Sequence, residues 1–501
     1  MEGRSAALNE AHRSLLTSLG VSEAGMARSN PQPVEEASGD SIRVMQFNML
    51  ADGMSNDGFV LKPVLDSWPA EPGKVPTMHG DTVEWERLIQ DTIAAAEGKD
   101  EAAMRAVQMK YAVPAAEENS KVVTDWRVRE LQMQRIVLAA GRPDVIVLEE
   151  IDHYGSLRTQ LEALGYSSQV VGADQPYKPA HLSGYSLGET GRDSFLRHFE
   201  ERGHAFLPNL GSHSMRLGLA KAGLDKPFMD AAARLGMEGV FQERPDGTRA
   251  LRMGFSAGLA PGTEPVFQAL VDEGKLTQVD EFDDDGVAIF WRADKWRATG
   301  LRAYFLEQVQ KGKAVLSVRL EQLSTGRPLT VFGAHLSSGG TPEDEYKRLA
   351  YEVDAPGGLA PLIRSAERPF VLAMDANAHP QLEADEGRSV WRSMLSAAGA
   401  SVWDAFFDSM GRERDQVTPP ITTNKLRGPL SEQATKIGKH ACCCIDHIFF
   451  DPKALELQRH VFLPKTYASA AEAFEELQPS LANPSDHFPL VVDLKLRDAE
   501  Q

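Results

Sequence analysis

Six short apolar runs of this chain each carry, at one end, a residue able to bind a cation or move a proton. Asn48 follows the run beginning at Ile42, and Glu149 and Glu150 follow Val145–Leu148. His335 follows Val331–Ala334, Asp375 and Asn377 follow Phe370–Met374, Asp446 and His447 interrupt Ile445–Phe450, and Asp486 and His487 precede Pro489–Leu494. Carboxylates and imidazoles at strand ends can reach a common cleft from rigid supports. Their types suit metal-assisted phosphoester hydrolysis. Magnesium takes one or two hard carboxylates and keeps several waters, which Glu150 with Asp486 or Asn48 could supply. An attacking water needs a carboxylate to orient it and take its proton, and Asp375 is the candidate, with Asn377 as a hydrogen-bonding partner. His487 with Asp446 makes an imidazole–carboxylate pair that favours imidazolium beside a phosphate, and His335 offers another donor. Each residue alone also has an ordinary role open to it. Asn48 could cap a turn, Asp375 and Asn377 could form an Asx turn, and His335 could be a satisfied core histidine.

The elements that must position them read as α/β. Ile42–Phe47, Val145–Leu148, Val287–Trp291, Leu329–Phe332, Phe370–Met374, Ile445–Phe450 and Pro489–Leu494 are too short for helices and lack clean alternation, so strands buried on both faces are predicted. A helix is predicted from a Thr124 cap, through Trp126, Leu131, Met133 and Val137, to Gly141 and Pro143. Residues 1–40 read as a flexible, partly helical tail before a single domain over 41–498. Two insertions are expected, at about 55–122 and 180–284. The first holds Pro-rich loops and then a helical pattern. The second holds short helices, one capped by Asp225, and is expected to be a dispensable surface elaboration. His198, His204 and His213 lack metal-ligand spacing and read as surface residues. The acidic run Asp280–Asp285 reads as a solvated loop, since it lacks calcium-loop spacing.

Composition narrows the class. The chain has 501 residues, 42% hydrophobic and 25% charged, as in soluble globular proteins. No window resembles a spanning helix. A net charge of −19 opposes sequence-blind coating of nucleic acid while leaving a local basic pocket possible. The three cysteines, Cys442, Cys443 and Cys444, are consecutive, which excludes a disulfide framework and suits a reducing compartment. They read as small side chains of a buried strand. Met1–Asp40 lacks the apolar core of a signal peptide, so a cytoplasmic location is expected.

The ordered motifs resemble the endonuclease/exonuclease/phosphatase superfamily, in the branch of nocturnin and the carbon-catabolite-repressor-type deadenylases. Ile42-Arg-Val-Met-Gln-Phe-Asn-Met-Leu-Ala51 is similar to its opening strand, and Leu148-Glu-Glu-Ile-Asp-His-Tyr154 to its metal-ligand motif. Asp285-Gly-Val-Ala-Ile-Phe290, Ala334-His-Leu336, Asp375-Ala-Asn-Ala-His-Pro380, Pro419 to Arg427, Ile445-Asp-His-Ile448 and Pro484-Ser-Asp-His487 follow in the family's order. The resemblance implies a deoxyribonuclease-I-like α/β (α+β) four-layer sandwich: two mixed sheets face to face, helices outside, the site at one end. It implies Mg²⁺, with Mn²⁺ as a substitute, bound by Glu150, and a site completed by Asn48, His335, Asp375, Asn377, Asp446, Asp486 and His487. Lys178 resembles a lysine that touches substrate phosphate, and Lys425 and Arg427 lie in a segment flanking the family's cleft. Three departures stand out. Glu149 replaces a usual Gln, Met374 and Ala376 replace the Gly and Phe of Gly-Asp-Phe-Asn, and Ser337–Gly340 replace basic residues after His335-Leu336.

The leading expectation is therefore a Mg²⁺-dependent 3′-exoribonuclease of the poly(A) type, whose partner is an RNA 3′ end or a nucleotide and not a membrane. The alternatives are an NADP(H) 2′-phosphatase and, from another class, a non-catalytic interaction protein on the same fold.

Overall fold

The computed structural model describes residues 2–497 except 28, 38–40, 56, 66–73, 77–81, 98–99, 112–113, 174, 184–190, 211, 238–240, 244–248, 252–261, 307–311, 386, 410–419 and 432–435. The seven apolar runs form strands: Ser41–Asn48, Val145–Ile151, Gly286–Arg292, Pro328–His335, Phe370–Asp375, Asp446–Phe450 and Leu490–Leu496. They divide between two mixed sheets. The first runs Leu455–His460, Leu490–Leu496, Ser41–Asn48, Val145–Ile151, Gly286–Arg292, Tyr166–Ser167, and Phe206–Pro208 also pairs with Gly286–Arg292. The second runs Trp296–Leu306, Lys313–Gln322, Pro328–His335, Phe370–Asp375, Asp446–Phe450, Ala400–Ser401. Each contains one parallel pair. Asn48 lies beside Glu149 at the end of the first, and His335 beside Asp375 at the end of the second.

Alternation along each strand sorts side chains into layers. Val44, Val147, Ile289 and Val492 of the first sheet meet Leu316, Val331, Ala373 and Ile448 of the second in one buried core. Met45, Phe47, Ile146 and Leu148 face outward against Met133, Ile136, Val137, Leu157 and Leu161 of the helices Trp126–Ala139 and Tyr154–Ala163. Phe332, Leu372 and Met374 face the helices Leu359–Arg364 and Val390–Ala398 on the other side. Burying each such Val, Ile, Leu or Phe contributes about 1.5–3 kcal/mol, so the inter-sheet core holds the strand ends in register. At Gly333 the two sheets approach closely. A Cβ there would sit 2.8 Å from Val147 Cγ1 and Val287 Cγ1.

Several expectations are corrected. The two longest strands, Trp296–Leu306 and Lys313–Gln322, were not predicted, because their apolar residues are broken up by outward-facing Arg297, Thr299 and Arg319. The cap of Trp126–Ala139 is Asp125, whose Oδ1 accepts the Arg127 N–H at 2.8 Å, while Thr124 donates to the Ser120 carbonyl of the preceding helix. Asp225 is the first residue of its helix, not the cap. Cys442 and Cys443 are half-buried in a two-stranded ribbon, and only Cys444 is fully buried. The helical part of the expected tail, residues 2–18, packs on Trp126–Ala139, with Leu16 buried and His12 Nδ1 2.8 Å from Arg135 Nη1. His204 is buried and within 2.9 Å of the Gln175 carbonyl. Asp283 and Asp285 are buried too. Tyr177 hydrogen-bonds Asp283, and Asn209 and Ser212 hold Asp285. The segment expected as an insertion thus contributes a strand to the first sheet and polar partners to the start of the strand Gly286–Arg292. Among the described residues no helix is long and apolar enough to cross a membrane.

Candidate active site

The residues of interest share the parity of the inter-sheet core. Gln46 and Asn48 follow Val44, Glu149 follows Val147, His335 follows Val331 and Gly333, Asp375 follows Ala373, and Asp446 precedes Ile448. At this one end the core gives way from apolar to ionisable side chains. Glu150 has the wrong parity and would face the outer helices. A bulge corrects it. Leu148 pairs with Ala288 and Ile151 with Gly286, which leaves one extra residue on this strand, and Glu150 takes a φ of +55°. A non-glycine residue held in the left-handed region is costly and needs support around it. Here the reward is two successive carboxylates turned toward one cleft.

Asn48 Nδ2 donates to Glu150 Oε1 at 3.1 Å and to Asp375 Oδ2 at 2.8 Å, and so ties the two sheets together. Its Oδ1 accepts the Leu50 N–H at 2.9 Å. Asn48 therefore turns its amide N–H groups, rather than its oxygen, toward the carboxylates. Asn377, with φ +48°, sends its N–H to Asp375 Oδ1 at 2.8 Å and its Nδ2 to the Leu336 carbonyl at 3.1 Å, with His335 Nε2 3.2 Å away. His335 Nε2 lies 3.7 Å from Glu150 Oε1 and 3.6 Å from Asp375 Oδ2. His487 Nδ1 meets Asp446 Oδ2 at 2.8 Å, and its Nε2 lies 4.0 Å from both Asp375 Oδ2 and Asp486 Oδ1. Lys425 pairs directly with Asp486. Arg427 pairs with Asp57 at 2.8 Å and stacks 4.0 Å above the Phe59 ring. Lys178 pairs with Glu264, and no described contact joins it to this cluster.

Crowding sets the electrostatics. Burial first, and the charge of Asp446 second, push Asp375 up to about 6. Burial, then Asp486 and Asp285, raise Glu150. Burial, then Asp446 and Asp375, raise Glu149 well above the usual carboxylate range. Against burial, Asp446 and Asp486 push the His487 imidazolium up to about 9. Against burial, Lys425, His487 and Arg427 hold Asp486 below the usual range. Burial, then the nearby cations Lys313, His487 and Lys425, keep His335 well below its ordinary value.

The departures from the family pattern become intelligible. Glu149 Oε2 accepts from Gln46 Nε2 at 2.9 Å, Oε1 is buried without a hydrogen-bond partner among the described residues, and burial raises its pKa in favour of the neutral form. A neutral carboxylic acid is close in shape to the amide it replaces. Met374 and Ala376 are buried beneath Asp375 among the residues packed on the outer helices.

Sequence reasoning missed three supports. Gln46 Nε2 also donates to Asp446 Oδ1 at 2.8 Å. Ser485 Oγ donates to the Asn48 carbonyl at 2.6 Å. Arg129, fully buried, holds the carbonyls of Met49 and Leu50 and, at 2.7 Å, that of Pro484. The signal was present for Arg129, which stands one helical turn before Met133 on the buried face.

Glu150, His335 and Asp375 each offer an atom such that these atoms lie within 4.8 Å of one another, and Asp375, Asp446 and His487 do the same. Buried like charges that raise one another's pKa are the arrangement a divalent cation relieves. Two carboxylates with room for water is a donor set that Mg²⁺ accepts.

No family model matches the chain. Nocturnin of Drosophila melanogaster is 28% identical over 234 residues, covering 42% of this chain and 33% of that protein, so the chain spans about a third of the curated relative's length. The human Nocturnin catalytic domain with bound sulfate aligns over 94% of this chain and 98% of its own at 16% identity and a TM-score of 0.40. ANGEL2, a 2′,3′-cyclic phosphatase, aligns over 92% and 96% at 13% identity and a TM-score of 0.42. Two face-to-face mixed sheets with outer helices and an acidic strand-end cleft define an α/β sandwich of the deoxyribonuclease-I-like class. Its motifs resemble those of the endonuclease/exonuclease/phosphatase superfamily, and over 234 residues the chain is similar to nocturnin.

Proposed function

We propose that the chain is a metal-dependent phosphoester hydrolase acting on an RNA 3′ end or a nucleotide. The observation that carries this is the convergence of Asn48, Glu150, His335, Asp375, Asp446 and His487, drawn from both sheets, within one hydrogen-bonded cluster. Glu150 with Asp375 would hold Mg²⁺, or Mn²⁺ in its place. When bound, the ion supplies charge stabilisation to a phosphoryl group. Asn48 orients both carboxylates rather than binding the ion. Asp375, through its other oxygen, takes the proton of the attacking water. Asn377 hydrogen-bonds that water or a phosphoryl oxygen. His487, kept charged by Asp446, presents imidazolium to developing negative charge, and neutral His335 donates a further hydrogen bond. Lys425 and Arg427 flank the cleft, although each already faces a carboxylate. Lys178 would reach substrate only by leaving Glu264.

We take the leading substrate to be a 3′-terminal oligo(A), hydrolysed as by a 3′-exoribonuclease, since no basic residue stands in Ser337–Gly340 for a terminal dianionic phosphate. One observation favours the 2′-phosphate of NADP(H) instead: Lys313, beside His335, has no carboxylate ion pair among the described residues. We place the activity in the cytoplasm, where three unbonded thiols are at home. Oligo(A), mixed RNA, NADP⁺ and inositol phosphates, each with Mg²⁺ or EDTA, test the reading. Mg²⁺-dependent turnover with oligo(A) preferred is expected. NADP⁺ turnover tenfold above oligo(A) would promote the phosphatase, and no turnover of any phosphoester would leave the interaction-protein reading.

A further inference from the structure

Lys313 opens the strand Lys313–Gln322, next to Pro328–His335. Its Nζ lies 3.5 Å from His335 Nδ1, at the outer edge of hydrogen-bonding distance, and only the imidazole ring separates it from Glu150 and Asp375. Among the described residues no carboxylate forms an ion pair with it. That is unusual for a half-buried lysine in a chain of net charge −19. The other nearby cations are engaged. Lys425 faces Asp486, Arg427 faces Asp57, and Arg348 binds Glu345 and the carbonyls of Ser337 and Gly339. Glu352, whose carboxyl feels the charge of Lys313, accepts the Ser337 N–H at 2.9 Å. The loop Ser337–Gly340, which follows His335 and Leu336, has side chains that carry no charge.

The lysine's backbone is fixed on both sides. The Leu210 N–H donates to the Gly312 carbonyl at 2.8 Å, and Asn209 Oδ1 accepts the Ala314 N–H at 2.8 Å. Asn209 is itself held by Asp285, at 2.7 Å through the backbone and 2.8 Å through its side chain. A rigid anchor under an unpaired cation lowers the ordering cost of gripping an anion.

We propose that Lys313 Nζ contacts a non-bridging phosphate oxygen of the substrate, delivering from the neighbouring strand the positive charge that the loop after His335 lacks. This rests on the hydrolase reading of the site and names a residue that selects anionic substrates within it. A contact made equally in the ground and transition states acts on KM more than on kcat.

The test titrates adenosine 5′-monophosphate, with adenosine as the uncharged control, into the full chain in EDTA by calorimetry. Lys313→Ala is expected to weaken the monophosphate about tenfold and leave adenosine unchanged, while Lys313→Arg stays within about threefold of the parent. Lys313→Gln keeps most of the stem and replaces the alanine variant if that does not fold. With Mg²⁺ and oligo(A), KM should rise about tenfold, with a smaller change in kcat. Equal monophosphate affinity in parent and variant would overturn the proposal. So would equal weakening of both ligands, which marks a packing role, or a parent that binds the monophosphate no better than adenosine. Absence of hydrolysis on every phosphoester sinks the hydrolase reading, whereas the EDTA titration stands by itself.

Discussion

Glu150 and Asp152 stand at the same strand end, yet they serve clusters of opposite kind. Asp152 accepts the N–H groups of Asp52 and Gly53 at 2.9 and 3.0 Å. Asp52 in turn meets Lys221 at 2.5 Å, Arg129 at 3.3 Å and His153 at 3.5 Å, and His153 stacks on Trp126 with centroids 4.3 Å apart. Asp52 is paired there with opposite charge, and against burial Lys221, His153 and Arg129 hold it below the usual carboxylate range, while burial pushes Asp152 up to about 6. Around Glu150 the carboxylates instead face one another and raise one another's pKa. Paired buried charge sets the shape of a loop. Crowded like charge marks a place where a cation belongs.

Glu150→Ala should break the crowded cluster's function without harming the fold. We expect turnover to fall by about two to three powers of ten, with the urea midpoint unchanged or higher because a buried like charge is gone. Retained turnover in the folded variant would remove Glu150 from the site. Lys221→Met is the reverse case. It should destabilise the chain by about 3 kcal/mol in urea unfolding, since it leaves Asp52 short of a partner in a buried network.

The paired cluster also has a pH signature of definite sign. The folded pKa of Asp52 is depressed, so its stabilisation is present above the unfolded carboxylate value of about 3.9 and is lost as pH falls toward the folded value. The urea midpoint should drop between pH 5 and pH 3, and drop less in Asp52→Asn. An equal drop in both would deny Asp52 this role.

Within the crowded cluster, Asp446→Asn and His487→Ala should be markedly non-additive in kcat, because the 2.8 Å pair acts as a unit. Fully multiplicative losses would show two independent groups. The smallest effect is expected for Glu149→Gln. A buried carboxyl whose pKa is raised and an amide offer Gln46 the same acceptor, so turnover should stay within about threefold of the parent.

Much of this was legible in the sequence, for a physical reason. Strands buried on both faces leave continuous apolar runs, and the polar residue that ends such a run must sit at a sheet edge. Asn48, His335, Asp375 and Asp446 were visible in that way. The bulge at Glu150 was not, because a register shift depends on the partner strand and leaves no local mark. Lys313 was hidden because Ser317 and Arg319 break up the apolar residues of its strand, where no element was predicted. Lys178 was carried over from a resemblance beside an insertion, and there it found Glu264. The paired cluster escaped because Asp52, Arg129, Asp152 and Lys221 come from four separate segments that only the fold brings together.

The most direct measurement is calorimetric titration of Mn²⁺ into the metal-free chain and into Glu150→Gln, at one pH and ionic strength. A saturable site in the parent that is lost or weakened at least tenfold in the variant is the expected result. Identical isotherms, or no binding by the parent at millimolar metal, would contradict the claim that the crowded carboxylates form a divalent-cation site.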